Sequence, residues 1–120
     1  MTILDQAKQL QDRTKKFAIR MIKAFSRVPK DEAARIIGRQ SLAANYRAAC
    51  RARSAADFIS KISIVAEETD ETLFWFELMV EADLVEPRLV ESLMSEGAEL
   101  LKIFSASLAT AKRRSGRLNR

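Results

Sequence analysis

Two sets of charged side chains, one acidic and one basic, are the residues that could do chemistry. The acidic set lies on one predicted helix and comprises Glu67, Glu68, Asp70, Glu71, Glu77 and Glu81. Paired carboxylates can transfer protons or hold a divalent cation. The chain has no histidine, however, which excludes the commonest general base and most zinc and di-iron sites. We therefore expect no catalytic residue, no cofactor and no metal site, and predict that the protein is not an enzyme.

Basic side chains are concentrated in the first half of the chain and at its C-terminus. The net charge is +5; residues 1–61 hold 14 Lys or Arg against 5 Asp or Glu, whereas residues 62–111 hold 2 against 11. Such clusters can bind phosphates, and Tyr46 among them could stack a base. The candidates for nucleic-acid binding are Lys16, Arg20, Lys23, Arg27, Arg39, Arg47, Arg51, Arg53, Lys112, Arg113, Arg114 and Arg117.

The same charges have a second interpretation, in which basic and acidic helices neutralise each other within the chain or between subunits. The arginines of the second helix would then pair with Glu67, Glu68, Glu71 and Glu77. We favour pairing for the arginines nearest the core. For the ridge of Lys16, Arg20, Lys23 and Arg27 we favour a solvated face over polyanion binding. For the C-terminal basic residues, which have no local acid, both interpretations stay open.

The spacing of apolar residues predicts four long helices. Three glycines and two prolines are too few for the turns of a β protein, and apolar residues recur at steps of three and four, as on helices with one buried face. Pro29 and Pro87 mark breaks between helices, and Ser54 followed by Asp57 is typical of a helix start. The predicted helices cover residues 4–26, 32–52, 54–83 and 87–111.

Four helices with short connections indicate an all-α fold, an antiparallel up-down-up-down four-helix bundle. We predict one domain over residues 1–114, followed by a disordered basic tail over residues 115–120. Several large apolar side chains fall off the core stripes, which indicates contact with another subunit. The predicted oligomer interface consists of Ile19, Ile22, Phe74, Trp75 and Leu78.

The cellular location is predicted from cysteine usage and hydropathy. The single cysteine, Cys50, allows no internal disulfide and fits a reducing compartment. It lies among alanines and is interpreted as a small buried apolar residue. No apolar run approaches the roughly 20 residues that span a bilayer. We expect a cytoplasmic protein without a membrane partner.

Short motifs follow one another in a specific order along residues 10–113. They are Phe17-Ala-Ile-Arg20, Ile37-Gly-Arg-Gln40, Ala44-Asn-Tyr-Arg-Ala-Ala49, Arg51-Ala-Arg-Ser54, Phe58-Ile-Ser-Lys61 and Glu71-Thr-Leu-Phe-Trp75. Their order and spacing resemble the four helix bundle protein family, also called the 23S rRNA intervening-sequence (S23-type) family. The resemblance implies an up-down bundle, a homopentamer and an undefined molecular function. Some members are encoded in insertions within large-subunit rRNA genes, which implies a link to RNA.

The S23-type family in turn is similar to the accessory variability protein of diversity-generating retroelements, a basic pentameric bundle. That similarity implies nucleic acid and a protein such as a reverse transcriptase as partners. One departure follows Gln40, where family members carry about six more residues, or about 1.7 helical turns. Either the second helix is interrupted there or residues are missing from the chain.

Two functions therefore stay open. In the first, the protein is a non-enzymatic homo-oligomer that binds RNA or DNA through a basic surface. In the second, it is a protein-interaction scaffold whose charges organise the oligomer, without a nucleic-acid role.

Overall fold

The computed structural model describes residues 2–25 and 42–118, with the side chains of residues 3, 25, 117 and 118 left out. Four helices occupy these ranges: α1 (Ile3–Phe25), α2 (Leu42–Cys50), α3 (Ala55–Glu81) and α4 (Pro87–Leu118). Helices α1 and α3 each pack against both α2 and α4, so the four form a closed bundle. The predicted all-α four-helix fold is confirmed. The short turns at 51–54 and 82–86 are consistent with the antiparallel order.

Side-chain caps explain where two of the helices begin. At the start of α1, the Asp5 N–H donates to the Thr2 hydroxyl oxygen at 3.1 Å, and the Thr2 N–H donates to the Asp5 carboxylate at 3.1 Å. The bond from the Thr2 backbone lowers the pKa of Asp5. At the start of α3, the Asp57 N–H donates to the Ser54 hydroxyl oxygen at 3.0 Å, as the sequence predicted.

The C-terminus of α3 is closed by a left-handed residue. Asp83 has φ of 59°. The Leu84 N–H donates to the Met79 carbonyl at 2.9 Å and the Asp83 N–H donates to the Val80 carbonyl at 3.1 Å. This paired arrangement is the Schellman motif, which satisfies the last carbonyls of a helix. The chain therefore turns within a few residues and enters α4 at Pro87.

The last helix is longer than predicted. We expected it to end near Ala111 and the tail over residues 115–120 to be disordered, but α4 continues to Leu118, so the prediction is wrong for residues 115–118. Alanine, lysine and arginine are strong helix formers, and the dipole at a helix C-terminus favours positive charge. The residues that were predicted to start the second helix, and the departure after Gln40, lie outside the described residues.

The core follows the apolar stripes that the sequence predicted. Six of the seven stripe positions predicted on α3 are buried, and the seventh, Phe58, is half-buried. The six are Ile62, Val65, Thr69, Thr72, Phe76 and Met79. The largest fully buried side chains are the rings of Phe17, Phe76 and Phe104, contributed by α1, α3 and α4. The apolar spacing of α4 predicts that Leu89 and Val90 both face the core, but Leu89 is 53% exposed and only Val90 is buried.

A glycine allows α4 to approach its neighbours in the middle of the bundle. A Cβ atom on Gly97 would lie 2.8 Å from Leu73 Cδ2 and 3.2 Å from Phe17 Cζ. Gly97 is therefore required by close packing between α1, α3 and α4. Gly116, near the end of the same helix, has no atom within 4 Å of such a Cβ.

Candidate nucleic-acid interface

Four helix ends meet at one end of the bundle. The start of α1, the end of α2, the start of α3 and the last turns of α4 surround one opening. On the outer surface beside it, a shallow concavity of about 690 Å³ lies between α2 and α3. We call it the basic concavity; its lining residues are Ala44, Arg47, Ala48, Arg51, Arg53, Asp57 and Lys61.

The one carboxylate among the lining residues of the basic concavity, that of Asp57, accepts hydrogen bonds from neighbouring residues. The Lys61 ammonium donates to Asp57 Oδ2 at 2.9 Å, and the Arg53 backbone N–H donates to the same oxygen at 3.4 Å. The hydrogen bond from Lys61 lowers the pKa of Asp57, and the charge of Arg53 acts in the same direction. Asp57 therefore stays ionised and neutralises Lys61, which leaves the three arginines as the surplus positive charge.

The predicted pairing of these arginines with α3 does not occur within the described part of the chain. Arg47, Arg51 and Arg53 are exposed, and their side chains form no ion pair there with Glu67, Glu68, Glu71 or Glu77. Glu68 instead accepts a hydrogen bond from the Asn45 amide. Arg39 lies outside the described residues. Exposed guanidinium groups are thus available at the α2–α3 surface.

The α1 ridge has a different environment. Arg20 donates from Nη2 to the Ser92 hydroxyl of α4 at 2.9 Å, and its charge contributes to lowering the pKa of Glu96. Lys16 and Lys23 are exposed, and Arg27 lies outside the described residues. No residue of α1 lines the basic concavity. The ridge therefore lies beside Glu96 of α4 and is separate from the basic concavity.

Arg13 is a positioning residue that the sequence analysis missed. Its Nε donates to Glu96 Oε2 at 2.9 Å, and its Nη2 donates to Oε1 at 2.5 Å. These bonds lower the pKa of Glu96 and raise that of Arg13. The bidentate pair joins α1 to α4. The sequence feature that could have predicted this contact is the position of Arg13, four residues before Phe17 and at the edge of the apolar stripe of α1.

The basic residues of α4 lie at the same end of the bundle as the basic concavity. Lys112, Arg113 and Arg114 are exposed on its last turns. The Arg113 guanidinium donates to the Thr110 hydroxyl at 3.3 Å, and Arg114 lines the opening between the helices. Arg117 lies on the helix, but its side chain is outside the described part. The structure therefore brings the basic residues of α4 to the same end as the arginines of the basic concavity, whereas the α1 ridge lies apart from both.

Charge is separated along the molecule, whose longest dimension is 52 Å. Opposite the basic end, the end of α3, the next turn and the start of α4 carry exposed acids: Glu77, Glu81, Asp83, Glu86 and Glu91. Helix α3 has 27 residues, so its two ends are about 40 Å apart. The two halves of the sequence do not map onto the two ends, however, because Arg20 and Lys23 near the end of α1 and Arg88 at the start of α4 lie at the same end as these acids.

The opening at the basic end is an apolar groove of about 1000 Å³ between the four helices. Leu10, Phe58 and Ile103 form parts of its wall, and many of the other positions are alanines: Ala7, Ala49, Ala52, Ala55, Ala106 and Ala111. Because alanine side chains are small, the four helices do not fill the space between them here. We call this feature the apolar groove.

Tyr46 lies at the inner side of the apolar groove. Its side chain is 6% exposed, and its ring centroid lies 5.2 Å from that of Phe104. Burial raises the pKa of Tyr46, and a hydrogen bond with the Cys50 side chain adds to the effect. The suggestion that Tyr46 stacks a base is wrong, because its ring belongs to the core. Cys50 is half-buried and lines the groove.

The residues predicted to form an oligomer interface are largely exposed. Ile19 and Ile22 on α1 are 42% and 46% exposed, and Phe74 and Leu78 on α3 are 55% and 37% exposed. Trp75 is half-buried against the core, with its ring centroid 6.4 Å from that of Phe74. We call Phe74, Trp75 and Leu78 the α3 patch. Exposed carboxylates surround it, namely Glu71, Glu77 and Glu81.

Within residues 2–25 and 42–118, no group of three or more His, Cys, Asp or Glu side chains could hold a metal ion. In that part of the chain, no helix has the length and hydrophobicity needed to cross a membrane.

Among solved structures, the chain is similar to a protein from Bacteroides thetaiotaomicron VPI-5482, whose crystal structure was determined at 1.70 Å resolution. That protein is described as one of unknown function from the S23 ribosomal protein family. The TM-score is 0.77 with 27% sequence identity, over 82% of this chain and 97% of that chain. The S23-type resemblance is confirmed. No family model matches the chain, and no curated protein matches it. The S23 relative thus establishes the fold and leaves the activity to be argued from the site.

Proposed function

We propose that this S23-type protein is a non-enzymatic, homo-oligomeric helical bundle that binds nucleic acid, RNA or DNA, through its basic end. The observation that carries the proposal is the basic concavity. Arg47 and Arg51 are exposed there, and they form no ion pair with any carboxylate in the described residues. Arg53 adds a third guanidinium from the adjoining turn.

The chemistry of the basic concavity suits a phosphate backbone. Guanidinium groups donate in a planar fork that matches two phosphate oxygens. Arg47 lies in the last turn of α2, and Arg51 follows its last residue, Cys50, with the Arg51 N–H donating to the Ala48 carbonyl at 3.1 Å, so the end of one helix positions both. Tyr46 is buried, and none of the described residues that line the basic concavity is aromatic. We therefore expect binding that depends on phosphates and varies little with base sequence.

Fluorescence anisotropy with labelled single-stranded and duplex RNA and DNA tests the proposal. The wild-type protein should bind with an affinity that falls log-linearly with salt and stays measurable near physiological ionic strength. The double variant Arg47→Gln/Arg51→Gln should bind about tenfold more weakly and show a salt slope shallower by roughly two.

A matched control removes two positive charges elsewhere. Lys15 and Arg88 are exposed and do not line the basic concavity, so Lys15→Gln/Arg88→Gln should retain most of the affinity. Equal losses in the two double variants would mean that net charge alone attracts the polyanion. Absence of binding near physiological salt would reject the nucleic-acid role in favour of the protein-interaction scaffold.

A further inference from the structure

We infer that the apolar groove binds a small anionic amphiphile, a single unbranched alkyl chain that ends in a carboxylate, with the carboxylate held by Arg114. This site is separate from the one in the proposed function, because the apolar groove and the basic concavity share none of their described lining residues. The volume of the groove, about 1000 Å³, is at the upper end of the range for small-molecule sites.

The groove follows one face of α4 over three turns. The α4 residues that line it are Ile103, Ala106, Ser107, Thr110, Ala111 and Arg114, and their alternating steps of three and one place them on one face of the helix. From Ile103 to Arg114 the helix rises about 16 Å. An extended chain of about twelve carbons has a similar length, since each C–C bond is about 1.5 Å long. An alkyl chain can therefore lie along α4 with its head at Arg114.

The walls of the groove expose apolar surface that such a chain would cover. Leu4 lines the groove and is 81% exposed. Leu10 and Phe58 are half-buried and pack at the edge of the buried cluster. Removal of their remaining apolar surface from water favours an apolar occupant.

The charges around the groove select an anionic head. Arg13 and Arg114 are the two charged residues among its described lining, which contains no carboxylate. The Arg13 guanidinium is held by Glu96, and the Tyr46 hydroxyl is hydrogen-bonded with the Cys50 side chain. Arg114 is exposed and forms no ion pair within residues 2–25 and 42–118. A guanidinium binds a carboxylate through two parallel hydrogen bonds, so Arg114 can hold one carboxylate head.

The surroundings of the groove favour a dissolved monomer over a bilayer. The strength of binding to a lipid surface grows with the apolar area that the protein inserts. Among the exposed large apolar side chains of the described residues, Leu4 alone lines the groove. The inner side of the groove lies at Tyr46, which is buried, so an alkyl chain would have to leave a bilayer to reach it.

Titration with dodecanoate below its micelle concentration tests the inference, with calorimetry and alkylation of Cys50 as the two measurements. Cys50 is the single cysteine of the chain and lines the groove. Bound dodecanoate should therefore slow its reaction with iodoacetamide several-fold. Dodecanol should bind about tenfold more weakly, because it cannot form a charge-assisted pair, and dodecylammonium should bind more weakly still.

Two phenylalanine variants test the position of the alkyl chain. Ala106 and Ala109 are both exposed on α4, and only Ala106 lines the groove. Because both sites are exposed, folding should be retained in each variant. Ala106→Phe should abolish the binding of dodecanoate, whereas Ala109→Phe should bind it like the wild type.

Two charge variants test the position of the carboxylate. Arg114→Gln should weaken dodecanoate binding about tenfold and leave dodecanol binding unchanged, because only the charged head contacts the guanidinium. Lys112 is exposed and does not line the groove, so Lys112→Gln should leave both affinities unchanged.

Equal effects of the two phenylalanine variants, or of the two charge variants, would overturn the inference, as would an unchanged rate of Cys50 alkylation. Binding to phosphatidylglycerol vesicles without binding to dissolved dodecanoate would overturn it in favour of a lipid surface. Arg47→Gln/Arg51→Gln should bind dodecanoate like the wild type, so that this result is independent of the outcome for nucleic acid.

Discussion

The middle of the bundle and its basic end use the same helices but different side-chain volumes. In the middle, Phe17, Phe76 and Phe104 are at most 1% exposed, and Gly97 draws α4 close. At the basic end, six of the residues that line the apolar groove are alanines, whose small side chains leave it unfilled. Helical periodicity decides which side chains face inward, but their volume decides whether the space is filled. The middle therefore supplies most of the tight packing, and the basic end keeps an unfilled apolar groove.

The largest expected effect contrasts two phenylalanines of α3. Phe76→Ala removes a fully buried ring and should lower the free energy of unfolding by about 3–5 kcal/mol. Phe58→Ala removes a half-buried ring at the groove and should lower it by about half as much, since less apolar surface is exposed by the change. Urea unfolding followed by circular dichroism measures both. Equal losses would mean that the groove is packed as tightly as the middle.

A smaller contrast involves the two glycines of α4. Gly97→Ala would bring a Cβ within 2.8 Å of Leu73 and 3.2 Å of Phe17, and should destabilise by about 1–2 kcal/mol despite the better helix propensity of alanine. Gly116→Ala meets no neighbour and should stabilise by about 0.5 kcal/mol, less than a full propensity gain because the site is near a helix end. Thermal unfolding of both variants checks the opposite signs, and stabilisation by Gly97→Ala would contradict the close approach.

The smallest contrast compares two ion pairs. Arg13–Glu96 is bidentate, with side chains 40% and 23% exposed, and a double-mutant cycle should give a coupling free energy of about 1 kcal/mol at pH 7. Asp57–Lys61 at the basic end joins neighbouring turns of one helix and should give a smaller coupling. Because the folded pKa of Glu96 is lowered, its contribution is complete above the ordinary value of 4.5 and is lost as the pH falls below it. A coupling that does not weaken as the pH is lowered from 7 through 4.5 and below would contradict this origin.

Much of the fold could be predicted because it depends on local and periodic signals. The α3 stripe, the Ser54 cap and the start of α4 at Pro87 all match the structure. The end of α4 was placed too early, because the loss of apolar periodicity was taken as the end of the helix. Propensity and charge sustain α4 beyond Ala111, where none of residues 112–116 is buried.

The site was less predictable because it depends on which helices become neighbours. Charge composition identified Arg47, Arg51 and Arg53, but it could not tell that their side chains stay clear of the α3 acids in the described residues. Tyr46 looked like a base-stacking residue and is instead buried against Phe104. Periodicity records that alanines face inward, but an unfilled volume appears only when four helices are assembled around them.

Among the described residues, exposed acids are in excess at one end of the bundle and exposed arginines at the other, which also has a consequence for kinetics. A molecule that is positive at one end and negative at the other rotates in the field of an approaching polyanion, so that productive collisions become more frequent than random orientation allows. The association rate constant should therefore fall steeply with ionic strength, while the dissociation rate constant changes less. Encounters would begin at the arginine-bearing end, before any short-range contact has formed.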